Sequence, residues 1–276
     1  MLKFFAILTF IVCLFSANVL FAHGDLHVRI ELATAAIQLS PDNAELYLER
    51  GILLYQHEKY SESIDDFNHC ISLNYNTPKL YLAIAKSQIA LNNAESAIQY
   101  LDKILKEDQH NVITLRWKAR ALMQMNQYSE AAYYFEDVIR FANQTFTENY
   151  IEAALAWENS DQPNNLENAI AIIEKGISDL GDILILYDKL VELHQLSGNT
   201  IEAINIQGKI IDLSNRKERP YYARAVLYQS IGDMESAKAD FNQSKMEIKK
   251  LPYRIKNTNA TLTLVKSIQE KEALFD

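Results

Sequence analysis

Self-similarity at a fixed spacing is what most constrains this chain. A mostly aromatic landmark recurs at Tyr47, Tyr81, Leu115, Tyr150, Tyr187 and Tyr221, at intervals of 34, 34, 35, 37 and 34 residues. A mostly small landmark lies four residues after each, at Gly51, Ala85, Ala119, Ala154, Val191 and Ala225. A further small landmark recurs at Ser63, Ala97, Ala131, Ala169, Ala203 and Ala237, and four residues beyond it stand Phe67, Leu101, Phe135, Ile173, Gln207 and Phe241. Residues four apart share one helix face, so each unit reads as two helices whose small residues admit close approach. One such pair has apolar residues on more than one side and cannot bury them alone, whereas stacked copies can.

Composition points the same way. The 276 residues include only 7 glycines and 5 prolines, too few turn residues for a β-sandwich or barrel. Hydrophobic residues make up 49%, enough for a sizeable core and far from a disordered composition. The turns that do exist fall between the paired helices, at Asn92-Asn93, Met125-Asn126, Ser197-Gly198-Asn199 and Ile231-Gly232-Asp233. Glu95, Glu130, Glu202 and Glu235 follow them, in early turns of the second helices, where an acid suits the helix dipole.

The first unit reads Tyr47-Leu48-Glu49-Arg50-Gly51-Ile52-Leu53-Leu54, then Ser63-Ile64-Asp65-Asp66-Phe67. The third reads Leu115 to Ala119 with Leu122, then Ala131-Ala132-Tyr133-Tyr134-Phe135. This resembles the tetratricopeptide repeat (TPR) family, whose helix-turn-helix unit carries W-x2-L-G-x2-Y followed by A-x3-F. Arg50 stands where the family has Leu. The resemblance implies an all-α, TPR-type helical-hairpin solenoid, a right-handed superhelix of about six repeats over residues 44–251. A lone helix, Leu26 to Leu39, is expected in the N-terminal segment 23–43. A C-terminal capping helix is expected within 252–276, because the last repeat exposes an apolar side. Repeat four departs from the pattern: Asp161-Gln162-Pro163-Asn164-Asn165 lengthens its turn by about three residues, as a tolerated insertion or as a binding edge.

In the family, first-helix positions line a concave surface along which partners lie. Carried over residue by residue, those positions give Lys79, Lys86, Arg116, Trp117 and Arg120 in repeats two and three. Repeats four and five give Glu148, Glu152, Glu158, Asp188 and Glu192. The resemblance therefore implies a basic stretch of groove followed by an acidic one, in a chain of net charge −9. Arg and Trp are frequent binding hot spots; the plainer alternative is an ordinary solvated helix face. Leu48 and Ile52 occupy the first-repeat positions of the family's clamp for chaperone tails, which argues against that activity.

No catalytic constellation emerges: there is no phosphate-cradling glycine loop, no CxxC pair and no HExxH. The chain is expected to be no enzyme and to need no cofactor. Net acidity disfavours nucleic acid, since it repels phosphate backbones. Met1-Leu2-Lys3 followed by an apolar run from Phe4 and ending at Ala22 reads as a signal peptide over residues 1–22; an uncleaved anchor is the alternative. The protein is accordingly expected outside the cytoplasm, periplasmic or secreted, with no membrane contact beyond that segment. Cys70 then remains as a single thiol and cannot form an intramolecular disulfide. Cleavage after Ala22 would leave His23 at the terminus, where its amine and imidazole, with His27 nearby, form a chelating pattern; a merely polar terminus is the plainer reading, and no metal site is assigned.

Two functions stay open on this reading. One is a non-enzymatic scaffold that holds a peptide or partner protein in its groove, with an acidic segment against the basic stretch. The other is an accessory subunit of an envelope enzyme or transport assembly, metal-linked through the mature N-terminus.

Overall fold

The computed structural model of the protein describes residues 26–273. The signal segment and His23 lie outside the described residues. Fifteen helices and no strand occur among the described residues, and none of the helices is long and apolar enough to cross a membrane. The chain divides between Met125 and Asn126 into two compact units.

The first unit contains α1 (Leu26–Leu39), α2 (Ala44–Gln56), α3 (Tyr60–Ser72), α4 (Pro78–Ala90), α5 (Ala94–Glu107) and α6 (Val112–Gln124). Helices α2 and α3 form one hairpin, α4 and α5 the next, and α6 packs on both α4 and α5. Helix α1 buries only Ile37 and packs on α2. Helix starts are set by side chains that satisfy orphan backbone N–H groups. Asn43 Oδ1 accepts from Glu45 N at 3.0 Å, and Asn111 Oδ1 accepts from Thr114 N at 3.1 Å. Thr77 Oγ1 accepts from Leu80 N at 3.2 Å, with Pro78 at the first helical position.

The second unit contains α7 (Tyr128–Phe141), α8 (Thr147–Glu158), α9 (Asn165–Leu180), α10 (Leu184–Leu196), α11 (Thr200–Leu213), α12 (Glu218–Ser230), α13 (Met234–Lys250), α14 (Tyr253–Lys256) and α15 (Asn259–Glu272). Hairpins α8–α9, α10–α11 and α12–α13 pack in succession, with α7 against α8. Leu264 and Ile268 of α15 join the cluster around Ala225, Ala237 and Phe241, so the last hairpin's apolar side is covered.

The small landmarks carry the packing. Ser63, Ala97, Ala131, Ala169, Ala203 and Ala237 are all fully buried, and so are Ala85, Ala119, Ala154 and Ala225. At Gly51 the fit is tightest. A Cβ there would lie 2.4 Å from Phe67 Cε1, well inside van der Waals contact.

The hairpin turns share one device. A residue in the left-handed region closes them at Glu58, Asn92, Gly198 and Gly232. The next residue donates back across the helix end: Lys59 N to Leu54 O at 2.9 Å, Asn93 N to Gln88 O at 2.8 Å, Asn199 N to His194 O at 2.8 Å and Asp233 N to Tyr228 O at 3.0 Å. This is the left-handed cap that satisfies the last helical carbonyls. Repeat four has none, because its insertion replaces it. Asn165 Nδ2 donates instead to Glu158 O at 3.0 Å and Ser160 O at 3.2 Å, and Ser129 Oγ anchors the insertion through Asp161 Oδ1 at 2.8 Å.

Candidate functional site

The strongest constellation of charge and aromatic surface lies on α4 and α6 of the first unit. Lys86 Nζ sits 5.1 Å from the centroid of the Trp117 ring, and Arg120 Cζ sits 5.1 Å from the same centroid. Trp117 itself packs on Ala85, Ala97 and Leu101, so small and aliphatic landmarks form its floor. Arg120 follows Trp117 by three positions and therefore shares its face of α6. Lys86 reaches it from α4 because α4 and α6 are packed together.

Two cations over one indole gain from the ring quadrupole but repel each other. Burial, and then the Arg120 charge, hold the Lys86 ammonium below the ordinary lysine range. The Tyr55 phenol, at the end of α2, is pushed up by burial and by Tyr60, with Arg120 acting in the opposite sense. Tyr55 thus stands close enough to Arg120 to feel its charge and stays a neutral donor. The residue types at family positions did not draw attention to Tyr55; its signal was its place near the end of the first helix, one repeat before Ile89.

The remaining expected positions divide. Arg116 lies one turn before Arg120 and buries its Nε without a hydrogen bond. Lys79 is exposed in the first turn of α4, about 10 Å along the helix from Lys86. Leu48 is a core residue and Ile52 packs against the same core. They offer no polar group where the clamp for chaperone tails would need one.

The acidic positions belong to the second unit. Glu152 is half-buried and Glu148 and Asp188 are exposed. Nearby protein withdraws enough water from the Asp188 carboxyl to push its pKa up. Lys189, which sequence reasoning passed over, binds Glu158 at 2.6 Å and Glu192 at 3.1 Å. Burial works against the Lys189 charge, yet its hydrogen bonds to Glu158 and Glu192 raise its pKa overall. Two of the five expected acids are therefore partly neutralised by a lysine at the centre of their face.

Of the His23 and His27 chelating pattern, only His27 lies among the described residues. His27 contacts Glu31 at 3.2 Å, its ring lies 6.5 Å from that of His57, and no group of three or more metal-ligating side chains occurs among the described residues. Cys70 is fully buried, its Sγ donates to Ala44 O at 3.2 Å, and burial pushes its pKa up to about 11.

Comparison with known proteins adds the following. Family models described as "Tetratricopeptide repeat" match residues 16–69, 88–150 and 218–245. The mitochondrial import receptor subunit TOM70 of Homo sapiens is 24% identical over 215 residues, covering 72% of this chain and 34% of that protein. The heat shock protein STI1 of Saccharomyces cerevisiae is 30% identical over 95 residues, covering 34% of this chain and 16% of that one. The chain spans about a third or less of the length of these relatives. Among solved structures, the C-terminal part of a TPR repeat-containing protein from Cytophaga hutchinsonii superimposes with a TM-score of 0.68 at 15% identity, covering 84% of this chain and 93% of that one. A tetratricopeptide repeat protein from Parabacteroides merdae gives 0.55 at 19% identity, with 89% and 93% covered. At these identities the structural likeness shows the fold.

Proposed function

Because this chain belongs to the tetratricopeptide repeat family, we propose that it is an exported, non-enzymatic interaction scaffold whose first unit holds an acidic segment of a partner protein. The fold and the curated relatives support a protein-interaction scaffold. The Lys86–Trp117–Arg120 cluster carries the finer reading. Two cations held over one indole, in a chain of net charge −9, attract an anion that relieves their mutual repulsion. The indole supplies apolar surface beside the charge, as binding hot spots do. Lys79 and Arg116 extend the positive stretch along the same two helices, and Tyr55 offers a neutral hydroxyl. Glu152, Asp188 and Glu192 would contact a separate, basic part of the partner. Export rests on Lys3, the apolar run and Ala22 alone.

Acidic decapeptides added to a Trp157→Phe background, in which Trp117 is the remaining indole, test the site. Binding should change Trp117 fluorescence and weaken with salt, since exposed charge pairs are screened over about 8 Å at physiological ionic strength. The pair Arg116→Glu and Arg120→Glu should abolish it while the helical signal persists. An unchanged response in the folded double variant would reduce the cluster to a solvated surface.

A further inference from the structure

The second unit carries a concentration of positive charge that the groove reading does not use. Helices α12 and α13 run antiparallel, which brings the start of α12 beside the last turns of α13. Ser244 Oγ donates to Glu218 O at 2.6 Å across them. The start of α15 joins the same end: Arg219 Nη2 donates to Ala260 O at 3.2 Å, and Thr261 Oγ1 donates to Ile255 O at 2.9 Å. Three separate stretches of chain thus bring cations to that end, the start of α12, the last turns of α13 and α14, with the start of α15 packed beside them.

Five of these cations have no carboxylate partner among the described residues: Lys217, Arg219, Lys249, Arg254 and Lys256. Two others are cancelled, Arg216 by Glu218 and Lys250 by Glu247, and Asp212 in the last turn of α11 remains as an exposed acid. The result is a net positive end on a chain of net charge −9. Screening over about 8 Å lets such a patch act independently of distant acids. Tyr253 stands among the cations and is 82% exposed. An aromatic that projects, rather than lining a cleft, is shaped to enter a deformable partner.

We infer that this end of the α12–α13 hairpin is a contact surface for an anionic lipid bilayer. The free cations face the phosphates of the headgroups, and the Tyr253 ring sits at headgroup level, with its apolar body toward the acyl boundary and its hydroxyl in the wet layer. Clusters of four to eight lysines and arginines are the usual size of such electrostatic lipid contacts. A groove tracking single-stranded nucleic acid needs several stacking rings along a path, and Tyr253 is the one strongly exposed ring at this end. The contact is independent of the Lys86–Trp117–Arg120 site in the first unit.

Co-sedimentation of the full-length chain with vesicles tests the inference. One set is phosphatidylcholine alone and the other contains about one third phosphatidylglycerol. The chain should bind the anionic vesicles more tightly, and the difference should vanish at high salt. The pair Arg254→Glu and Lys256→Glu should lower anionic binding at least tenfold, and Tyr253→Ala several-fold. The helical spectrum and melting curve should hold, because these side chains are outside the core. Residues 1–25 are present in every variant, so the comparison removes their contribution. Equal binding to both vesicle sets, or anionic binding unchanged by the charge reversals, would overturn the inference. So would tighter capture of a single-stranded oligonucleotide or of polyglutamate than of anionic vesicles, lost in the same variants.

Discussion

Arg50 and Asp66 are locked as a fork, Nε to Oδ2 at 2.8 Å and Nη2 to Oδ1 at 2.6 Å, and Arg224 and Asp240 repeat it at 2.6 and 3.0 Å. Each arginine stands three residues after the aromatic landmark of its hairpin, and each aspartate immediately precedes the Phe landmark. The next hairpin has Ile84 and Tyr100 at the matching positions, and the one around α10 has Leu190 and Ile206. The first and last repeats therefore carry an ion pair where these inner ones carry aliphatic or aromatic side chains. Asp66 is nearly buried, at 7% side-chain exposure. Asp66→Ala should cost about 3 kcal/mol by stranding the guanidinium, whereas Arg50→Met with Asp66→Leu should be near neutral. Urea melts of Arg50→Met, of Asp66→Leu and of the pair give the coupling directly.

Gly51→Ala places a methyl group against the Phe67 ring, which is fully buried and cannot step aside. It should destabilise the protein by about 1–3 kcal/mol. Phe67→Leu in the same chain should recover part of the loss, and a thermal melt that left Gly51→Ala unchanged would contradict the close approach. Ala119→Trp, at another fully buried small landmark, should be destabilising for the same reason.

Glu58 adopts φ +61°, a left-handed conformation at the turn where the α10–α11 and α12–α13 hairpins have Gly198 and Gly232. A side chain there costs about 1–2 kcal/mol relative to the right-handed conformation. Glu58→Gly should therefore raise the melting temperature, despite the added freedom of the unfolded chain. Differential scanning calorimetry gives the sign.

Burial pushes the Cys70 thiol up to about 11. Its folded pKa is thus above the unfolded one, so the folded state holds its proton more tightly. The associated stability is complete below the ordinary thiol pKa near 9 and is lost as pH rises from there to about 11. Chemical denaturation should show the decline in that window, and Cys70→Ala should flatten it. Cys70 in the native protein at pH 8 should resist a thiol reagent that labels it fully in urea.

Lys86 lies below the usual lysine range through burial and the Arg120 charge. An anion bound beside it favours the charged form, so acidic-peptide binding should take up protons at alkaline pH. Affinity should fall as pH rises through the lowered Lys86 pKa. In Lys86→Arg that decline should disappear while binding at neutral pH persists, since guanidinium does not titrate there. Calorimetry in buffers of different ionisation enthalpy reads the proton count.

The hairpin architecture was legible in the sequence because it depends on spacing along the chain. Small residues at Ala97, Ala131 and Ala169 bury completely, and a residue four positions on shares their face. The turns at Asn92-Asn93 and Ser197-Gly198-Asn199 were legible too, since Asn and Gly tolerate the left-handed region. Glu58 was not, because nothing about glutamate announces positive φ. In the candidate site, Trp117 and Arg120 were readable as a pair on one helix. The convergence of Lys86 on the same ring was a matter of family position alone until α4 and α6 were seen packed together.

By itself the sequence determined the period, the helix pairs and which residues are small enough to lie between them, for these follow from local geometry and the need to bury apolar faces. Tertiary packing alone decided which charges meet. Lys189 reaches Glu158 across 31 residues, and Lys217 and Lys256 share one end of a hairpin although 39 positions separate them. Charges act over distance in space, and distance in space is set by how the helices stack.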